Sequence, residues 1–273
     1  MTKNLHRILG PLRLLYGAAT VFVCAGTSGA MAQGFSAVAS PPRFELTAAP
    51  GSRSRQVVEL TNPGALPAKY RVRTADWSLA PDASVTFYDE LRPGSCRPWV
   101  ALERPELTLP GGARARFRFE VTPPADAPAG ECRFALLIEG DEPAVAKSDL
   151  LQIPVRGRLG VIVYVAVGDA APKLSIVKST VEMVDGKRVP TLWVSNSGNA
   201  HGRLAGFLTG TDAQGRELEF GPSTFPVLPG ETRALALAAQ LGPNEPTEPV
   251  LPVMVRGNLE WAGGRLPFEH RFE

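Results

Sequence analysis

Residues 150–167 read LLQIPVRGRLGVIVYVAV, a β-type run that changes character halfway. Leu151, Ile153 and Val155 alternate with Gln152, Pro154 and Arg156. Strand side chains repeat every two residues, so the three aliphatics share one face. Residues 161–167 are apolar on both faces, as expected of a strand covered from two sides. The stretch therefore predicts one long strand, half-buried at its start and fully buried at its end. Pro154 has no N–H to give a ladder and is tolerated only at an edge or a bulge. The alternating half is therefore expected at a sheet edge or at a bulge.

Outward from this strand, the chain is punctuated by 27 glycines and 26 prolines and shows no sustained helical face after residue 32. Upstream lie short β-type runs such as SRQVVELTN, AKYRVRTADWSLA, RPWVALE, ARARFRFEVT and ECRFALLIEG. The breakers APGS, NPGALP, LPGG and PPADAPAG separate them. Seven or eight strands at this spacing indicate an antiparallel sandwich of immunoglobulin type. After GDAAP (168–172) the pattern begins again, with TDAQG (211–215) and WAGG (261–264) reading as hairpin turns. Each half carries a strand that ends in a polar corner, TNPG (61–64) or SNSGN (195–199). Each also has an LPG turn (109–111, 228–230) before an alternating strand. The expected fold is all-β: a leader over 1–32, then two tandem immunoglobulin-like β-sandwich domains over 33–169 and 170–273.

The leader has the order of a secretory signal peptide: Lys3, Arg7 and Arg13, an apolar run, then Ala30-Met31-Ala32, with cutting expected before Gln33. Its removal takes three basic residues from the chain's 29, leaving 26 Lys and Arg against 27 Asp and Glu. A near-neutral chain without a basic tract has no electrostatic footprint for nucleic acid. No other segment is long and apolar enough for a membrane span, so no membrane insertion is expected. Cys24 leaves with the leader, and Cys96 and Cys132 remain as an even pair in an exported protein. A disulfide is the default reading, because two thiolates with no neighbouring histidine make half a metal site.

Catalytic patterns are missing. After the leader there are two histidines, His201 and His270, and there is no HExxH, GxSxG or phosphate-binding glycine loop. The acidic pairs Asp89-Glu90 and Asp141-Glu142 sit in turn-like contexts and read as solvated loop charge. The four tryptophans, Trp77, Trp99, Trp193 and Trp261, lie in or beside strands and read as sandwich core. No enzyme activity, metal or cofactor is expected.

The stretches PPRFEL (41–46), ELTLPGGARARFRFEV (106–121), PPADAPAGECRFALLIEG (123–140), the long strand, VSNSGNAHGRL (194–204) and LPGE (228–231) occur in an order along the chain. That order resembles the periplasmic chaperones of chaperone–usher pilus assembly. The resemblance covers nearly all of the chain after the leader. It implies a periplasmic, non-enzymatic chaperone that holds pilus or fimbrial subunits and hands them to an outer-membrane usher. Such subunits lack the last strand of an immunoglobulin-like fold, and the chaperone lends one of its own. On that likeness Leu151, Ile153 and Val155 are the donor residues, and an exposed aliphatic row of this kind also suggests self-association of the unbound protein. The family holds the subunit's C-terminal carboxylate with an arginine of the first strand, matched by Arg43, and a lysine at the end of the donor strand. That lysine position falls on Gly160 here, leaving Arg158 and Arg156 as candidates for the second cation. Two readings of the residues stay open beside this one. The aliphatic row can cover its own core, and the chain can be a secreted two-domain structural or adhesive module with no folding role.

Overall fold

The computed structural model describes residues 35–140, 144–148, 151–155, 157–242 and 245–273, with 144–148 and 151–155 as backbone alone. The expected leader and its cleavage point, like Asp141-Glu142, lie outside the described residues.

Alternation builds the strands. In the segment Arg43–Ala48, Phe44, Leu46 and Ala48 turn inward, and in Arg114–Val121 so do Phe117, Phe119 and Val121. The first sandwich runs β1 (Val38–Ser40), β2 (Arg43–Ala48), β3 (Ser54–Thr61), β4 (Ala68–Leu79), β5 (Val85–Tyr88), β6 (Val100–Leu102), β7 (Glu106–Leu109), β8 (Arg114–Val121), β9 (Gly130–Gly140), β10 (Ala144–Ser148), β11 (Leu151–Val155) and β12 (Arg158–Val167). One layer orders β1-β3-β8-β6 and the other β2-β12-β9-β4-β5, with β7 also on β4. Only β2 and β12 are parallel neighbours among the described strands, with Arg43 opposite Ile162. The second sandwich runs β13 (Leu174–Val184), β14 (Lys187–Asn196), β15 (Gly202–Arg203), β16 (Ala205–Thr211), β17 (Glu217–Pro222), β18 (Pro226–Val227), β19 (Thr232–Gln240), β20 (Pro246–Thr247), β21 (Val253–Trp261) and β22 (Gly264–Phe272). Its strands order β13-β14-β19-β17-β16-β21-β22. The first half of β19 pairs with β14 and its second half with β17, so this one strand carries the sheet around a corner. The fold is the expected pair of tandem β-sandwiches.

Each sandwich has its own core. Phe44, Phe117, Phe119 and Phe134 pack with Val161, Val163, Val165 and Val167 in the first. Leu192, Leu208, Phe220, Leu235, Val255 and Phe272 pack in the second. A third cluster lies on the outer face of the β2-β12-β9-β4-β5 sheet, where Trp77, Leu137 and Tyr164 meet Leu228 of the second sandwich. Strand β12 therefore has its odd residues in one core and its even residues in another cluster, which is why residues 161–167 are apolar throughout. Trp77 is buried and donates to the Phe134 carbonyl at 3.2 Å, and Trp99 and Trp261 pack against the two cores. Trp193 departs from the core reading: it is half-buried and donates to Glu182 at 3.2 Å.

The repeated polar corner rests on a buried asparagine. Asn62 Nδ2 donates to the carbonyls of Leu66, Leu109 and Pro110, and its Oδ1 accepts from Gly64 N–H. Asn196 repeats this, donating to Ala200 and Val227 and accepting from Lys173 and Gly198. In both halves the amide ties the corner to the segment that carries the LPG turn. An amide supplies both donors and acceptor from one side chain, which satisfies a buried turn's backbone.

Cys96 and Cys132 form the expected disulfide, with Cα atoms 5.7 Å apart. Two local expectations need correction. Residues 97–103 do not open as a strand: Arg97–Trp99 is a 3₁₀ turn, and only Val100–Leu102 is extended. Pro98 cannot donate to a ladder, and Trp99 N–H is spent on the Cys96 carbonyl at 3.0 Å. The long strand is also two strands, β11 and β12. Gly140 N–H bonds to Gly157 at 3.2 Å, whereas Ala144 stands opposite Val155, so the pairing register shifts by two residues between the segments.

Candidate functional site

The hairpin made by β9–β10 and β11–β12 carries the predicted donor residues. On the β11 backbone, Leu151, Ile153 and Val155 stand opposite Ser148, Ala146 and Ala144 of β10. Their side chains, like Arg156, lie outside the described residues. Strand β12 is flanked by β9 along its whole length, but by β2 only from Ile162 to Val167. Among the described residues no strand pairs with the other flank of β11 or of residues 158–161. This open flank is a row of backbone donors and acceptors beside a partly filled sheet.

Two glycines mark where the strand leaves the sandwich, each overlain by a phenylalanine on the opposite face. A Cβ at Gly157 would stand 2.1 Å from Phe35 Cβ, and one at Gly160 would stand 2.4 Å from Phe87 Cζ. Phe35 packs against the first core and edge-on to Tyr70 at 6.2 Å. Phe87 belongs to the outer-face cluster. The outer ring thus occupies the place that a longer side chain at 160 would need, so Gly160 has a packing reason.

Arg158 is exposed, faces Glu139 of β9 in register, and lies over the Phe87 ring at 5.6 Å from its centroid. With Arg71, Arg73, Asp89 and Glu139 it lines a cavity of about 570 Å³ beside the hairpin root. Arg73 grips Glu139 with two hydrogen bonds (3.0 and 2.9 Å) and Asp89 with a third at 2.7 Å. The hydrogen bonds from Arg73 hold the Glu139 carboxyl below the usual carboxylate range, against its partial burial. Arg43 is half-exposed and paired with Glu45 at 2.8 Å. It stands beside Ile162, four residues along β12 from Arg158, hence on the same face and about 13 Å farther along the strand. The structure puts both arginines on one sheet face without joining them to each other.

Farther along this face the second sandwich is fastened to the first. Arg233, 3% exposed, donates to the carbonyls of Ala80 (2.9 Å), Leu79 (3.3 Å) and Pro81 (3.4 Å), while Glu231 pairs with it at 2.5 Å. His201 enters the seam beside Glu131, Glu45, Tyr164 and Arg203, which border a pocket of about 370 Å³. Burial works against ionisation of Glu45, but His201, Arg43 and Arg203 together hold its carboxyl below its ordinary value. Burial pushes the Tyr164 hydroxyl up to about 12. Sequence reasoning singled out neither Arg233 nor this cluster, because its members come from residues 45, 131, 164, 201 and 203 and carry no local spacing.

No family model matches the chain, and no curated protein does. Among solved structures, the chain is similar to the SafB chaperone complex with SafA pilin from Salmonella enterica, at 16% identity, covering 88% of this chain and 97% of that one, with a TM-score of 0.46. It is similar to the E. coli chaperone DraB at 16% identity, over 88% and 98% of the two chains and with a TM-score of 0.45. A chaperone–tip subunit complex of the archaic chaperone–usher Csu pili of Acinetobacter baumannii matches at 14% identity, over 87% and 98%, with a TM-score of 0.44.

Proposed function

We propose that the protein is a non-enzymatic periplasmic chaperone that stabilises pilus or fimbrial subunits by lending them the strand 151–155 and passes them to an outer-membrane usher. The two domains are 33–169 and 170–273, and neither needs a cofactor. The observation that carries this reading is the open flank of β11 and of residues 158–161. A guest strand can add its backbone hydrogen bonds there, with alternate side chains supplying fit. Leu151, Ile153 and Val155 have the same parity as Leu159, Val161 and Val163, which face the first core. Along the β11 backbone the three donor positions alternate, opposite Ser148, Ala146 and Ala144, and so share one face of that strand. Full burial of each side chain is worth about 1.5–3 kcal/mol, so the row alone is a large part of subunit affinity. Arg43 and Arg158, with Arg156, supply cations for the subunit's C-terminal carboxylate, and an aliphatic row of this kind favours self-association when no subunit is bound.

The test is co-expression with a pilin-like subunit. A soluble one-to-one complex is expected, and Ile153→Asp with Val155→Asp should abolish it while leaving the far-ultraviolet spectrum and thermal midpoint of the chaperone unchanged. Survival of the complex would refute strand donation. Unfolding of the double variant would show that the row belongs to the chain's own core.

A further inference from the structure

The seam between the sandwiches holds a buried titratable pair that subunit capture does not use. His201 has a side chain 9% exposed, and Glu131 one 2% exposed. The ring Nδ1 lies 2.5 Å from Glu131 Oε2, and Nε2 lies 3.5 Å from Glu45 Oε1 on the other side. A neutral imidazole has one N–H to give, whereas the imidazolium has two. A ring with a carboxylate at each nitrogen is a site for the charged form.

Glu131 points the same way. Besides the ring it accepts only the His201 backbone N–H at 3.2 Å, and its Oε1 is buried without a partner among the described residues. A carboxylate out of water with so few partners requires a cation. The nearby arginines are otherwise engaged. Arg43 pairs with Glu45 at 2.8 Å, and Arg203 with Glu45 at 3.3 Å and the Thr224 carbonyl at 2.6 Å. Arg133 lies over the Trp77 ring at 5.3 Å. The imidazole also stacks on Tyr164 at 3.9 Å with 25° between the planes, a geometry that favours a cation over the ring. Tyr164 stays neutral throughout the working range, since its burial holds the hydroxyl at about 12. No His, Cys, Asp and Glu set among the described residues is arranged to hold a metal, so the ligand these groups share is a proton.

We infer that His201 is a proton-operated pin between the two sandwiches, seated as the imidazolium and loosened when its proton is lost. The sign is fixed by the partners. The contribution is present while the ring is charged and disappears as pH rises and the ring is neutralised, because Glu131 then keeps a buried charge with no counter-ion and the bare Nε2 lone pair faces Glu45. This inference goes beyond the proposed function and does not depend on it.

The amide of Glu131 reports on the seam directly, since it donates to the Asn199 carbonyl of the other sandwich at 2.8 Å. Hydrogen exchange of the unbound chain without its leader, corrected for intrinsic rates, should show seam opening on the order of tenfold more frequent at pH 8.5 than at pH 5.5, the loss of one charge-assisted pair. His201→Gln should be open at both values with no such rise, and Glu131→Gln should also lose the pH dependence. An equal rise in all three proteins, or a seam that tightens with pH, overturns the pin. Should either variant fail to fold, ring ¹⁵N spectra of the unmodified protein at pH 6 decide the matter. Two protonated nitrogens on His201 are expected, and a single neutral tautomer refutes it. Subunit capture is absent from every arm, so failure of the chaperone reading would leave these results standing.

Discussion

Gly160 offers a sharp test of how the outer face is packed. In Gly160→Ala the new methyl would lie 2.4, 2.9 and 3.2 Å from Cζ, Cε1 and Cε2 of Phe87. Carbon pairs settle near 3.5 Å or beyond, so the ring must withdraw by about 1 Å. Overpacking of this kind costs about 1–3 kcal/mol. Replacing glycine at an ordinary strand φ returns about 0.4–1 kcal/mol by restricting the unfolded chain. The net expectation is a loss of about 0–2.6 kcal/mol. Phe87→Ala removes a half-buried ring and should cost about 2 kcal/mol, less than a fully buried phenylalanine. With the ring gone, the three nearest obstacles to the methyl at 160 are removed, so the double variant should be more stable than the sum of the singles by about 1–3 kcal/mol. Urea unfolding of the four proteins of the cycle measures that coupling. Additivity within about 0.5 kcal/mol would refute the claim that Phe87 is what keeps residue 160 a glycine. The Phe87→Ala background also admits Gly160→Lys, which places a cation two residues from Arg158 on the same face. If Arg158 serves as the substitute anchor, this pair should recover subunit capture lost in Arg158→Ala.

Two further outcomes are expected. The Cys96–Cys132 bond spans 36 positions. On chain-entropy arithmetic, its replacement by two serines should cost about 4 kcal/mol in urea unfolding, and a loss below about 1 kcal/mol would contradict that assignment. Asp212, buried in the TDAQG hairpin, accepts from the N–H groups of Gln214, Arg216 and Val250 (3.0–3.1 Å) and from the Arg216 guanidinium at 2.9 and 2.7 Å. Burial opposes its ionisation, but the Arg216 guanidinium and the three backbone N–H groups bring its carboxyl down to about 2. Its stabilisation is thus complete above about pH 4 and lost as pH falls toward 2. Asp212→Asn should lower the thermal midpoint at pH 7, by about 2–4 kcal/mol in stability. The gap should close between pH 4 and pH 2, and a gap that persists in acid would disprove the charge-based account.

The parts legible in the sequence are those fixed by local spacing. Alternation in PPRFEL and ARARFRFEV found β2 and β8, and repetition of the asparagine corner with the LPG turn found the tandem architecture. The corner's cause, one buried amide serving four backbone groups, was not readable, because its partners lie up to 48 residues away. The same limit hid the seam. Glu45, Tyr164 and Glu131 look unrelated along the chain until β2, β12 and β9 pair, and His201 reaches them only from the second sandwich. Residues 97–103 show the opposite failure. Their composition suits a strand, but Pro98 and the Cys96–Trp99 backbone bond commit the first three residues to a turn. That residue 160 is a glycine was plain in the sequence, whereas its packing reason required the ring of Phe87, which is 73 positions away.

The change of character along residues 150–167 now has a mechanical sense. Strand β12 is gripped on both faces: Val161, Val163, Val165 and Val167 sit in the first core, while Tyr164 lies under His201. It is also gripped on both edges from Ile162 onward, by β2 and β9. A strand so held cannot move without disturbing its sandwich, which makes it a fixed root. Beyond residue 162 in the reverse direction, the grip falls away in order: first the β2 edge, then the registered pairing at Gly157, until β11 has, among the described residues, only β10 beside it. A segment meant to be inserted into another protein needs both properties, since a free edge supplies the pairing and a rigid base reduces the entropy lost on docking. If β11 is the strand lent to a subunit, the buried valines at 161–167 belong to the binding device by fixing its root, although no guest would touch them. Their shortening, as in Val163→Ala, should weaken capture of a subunit through looseness at the root before it unfolds the chain.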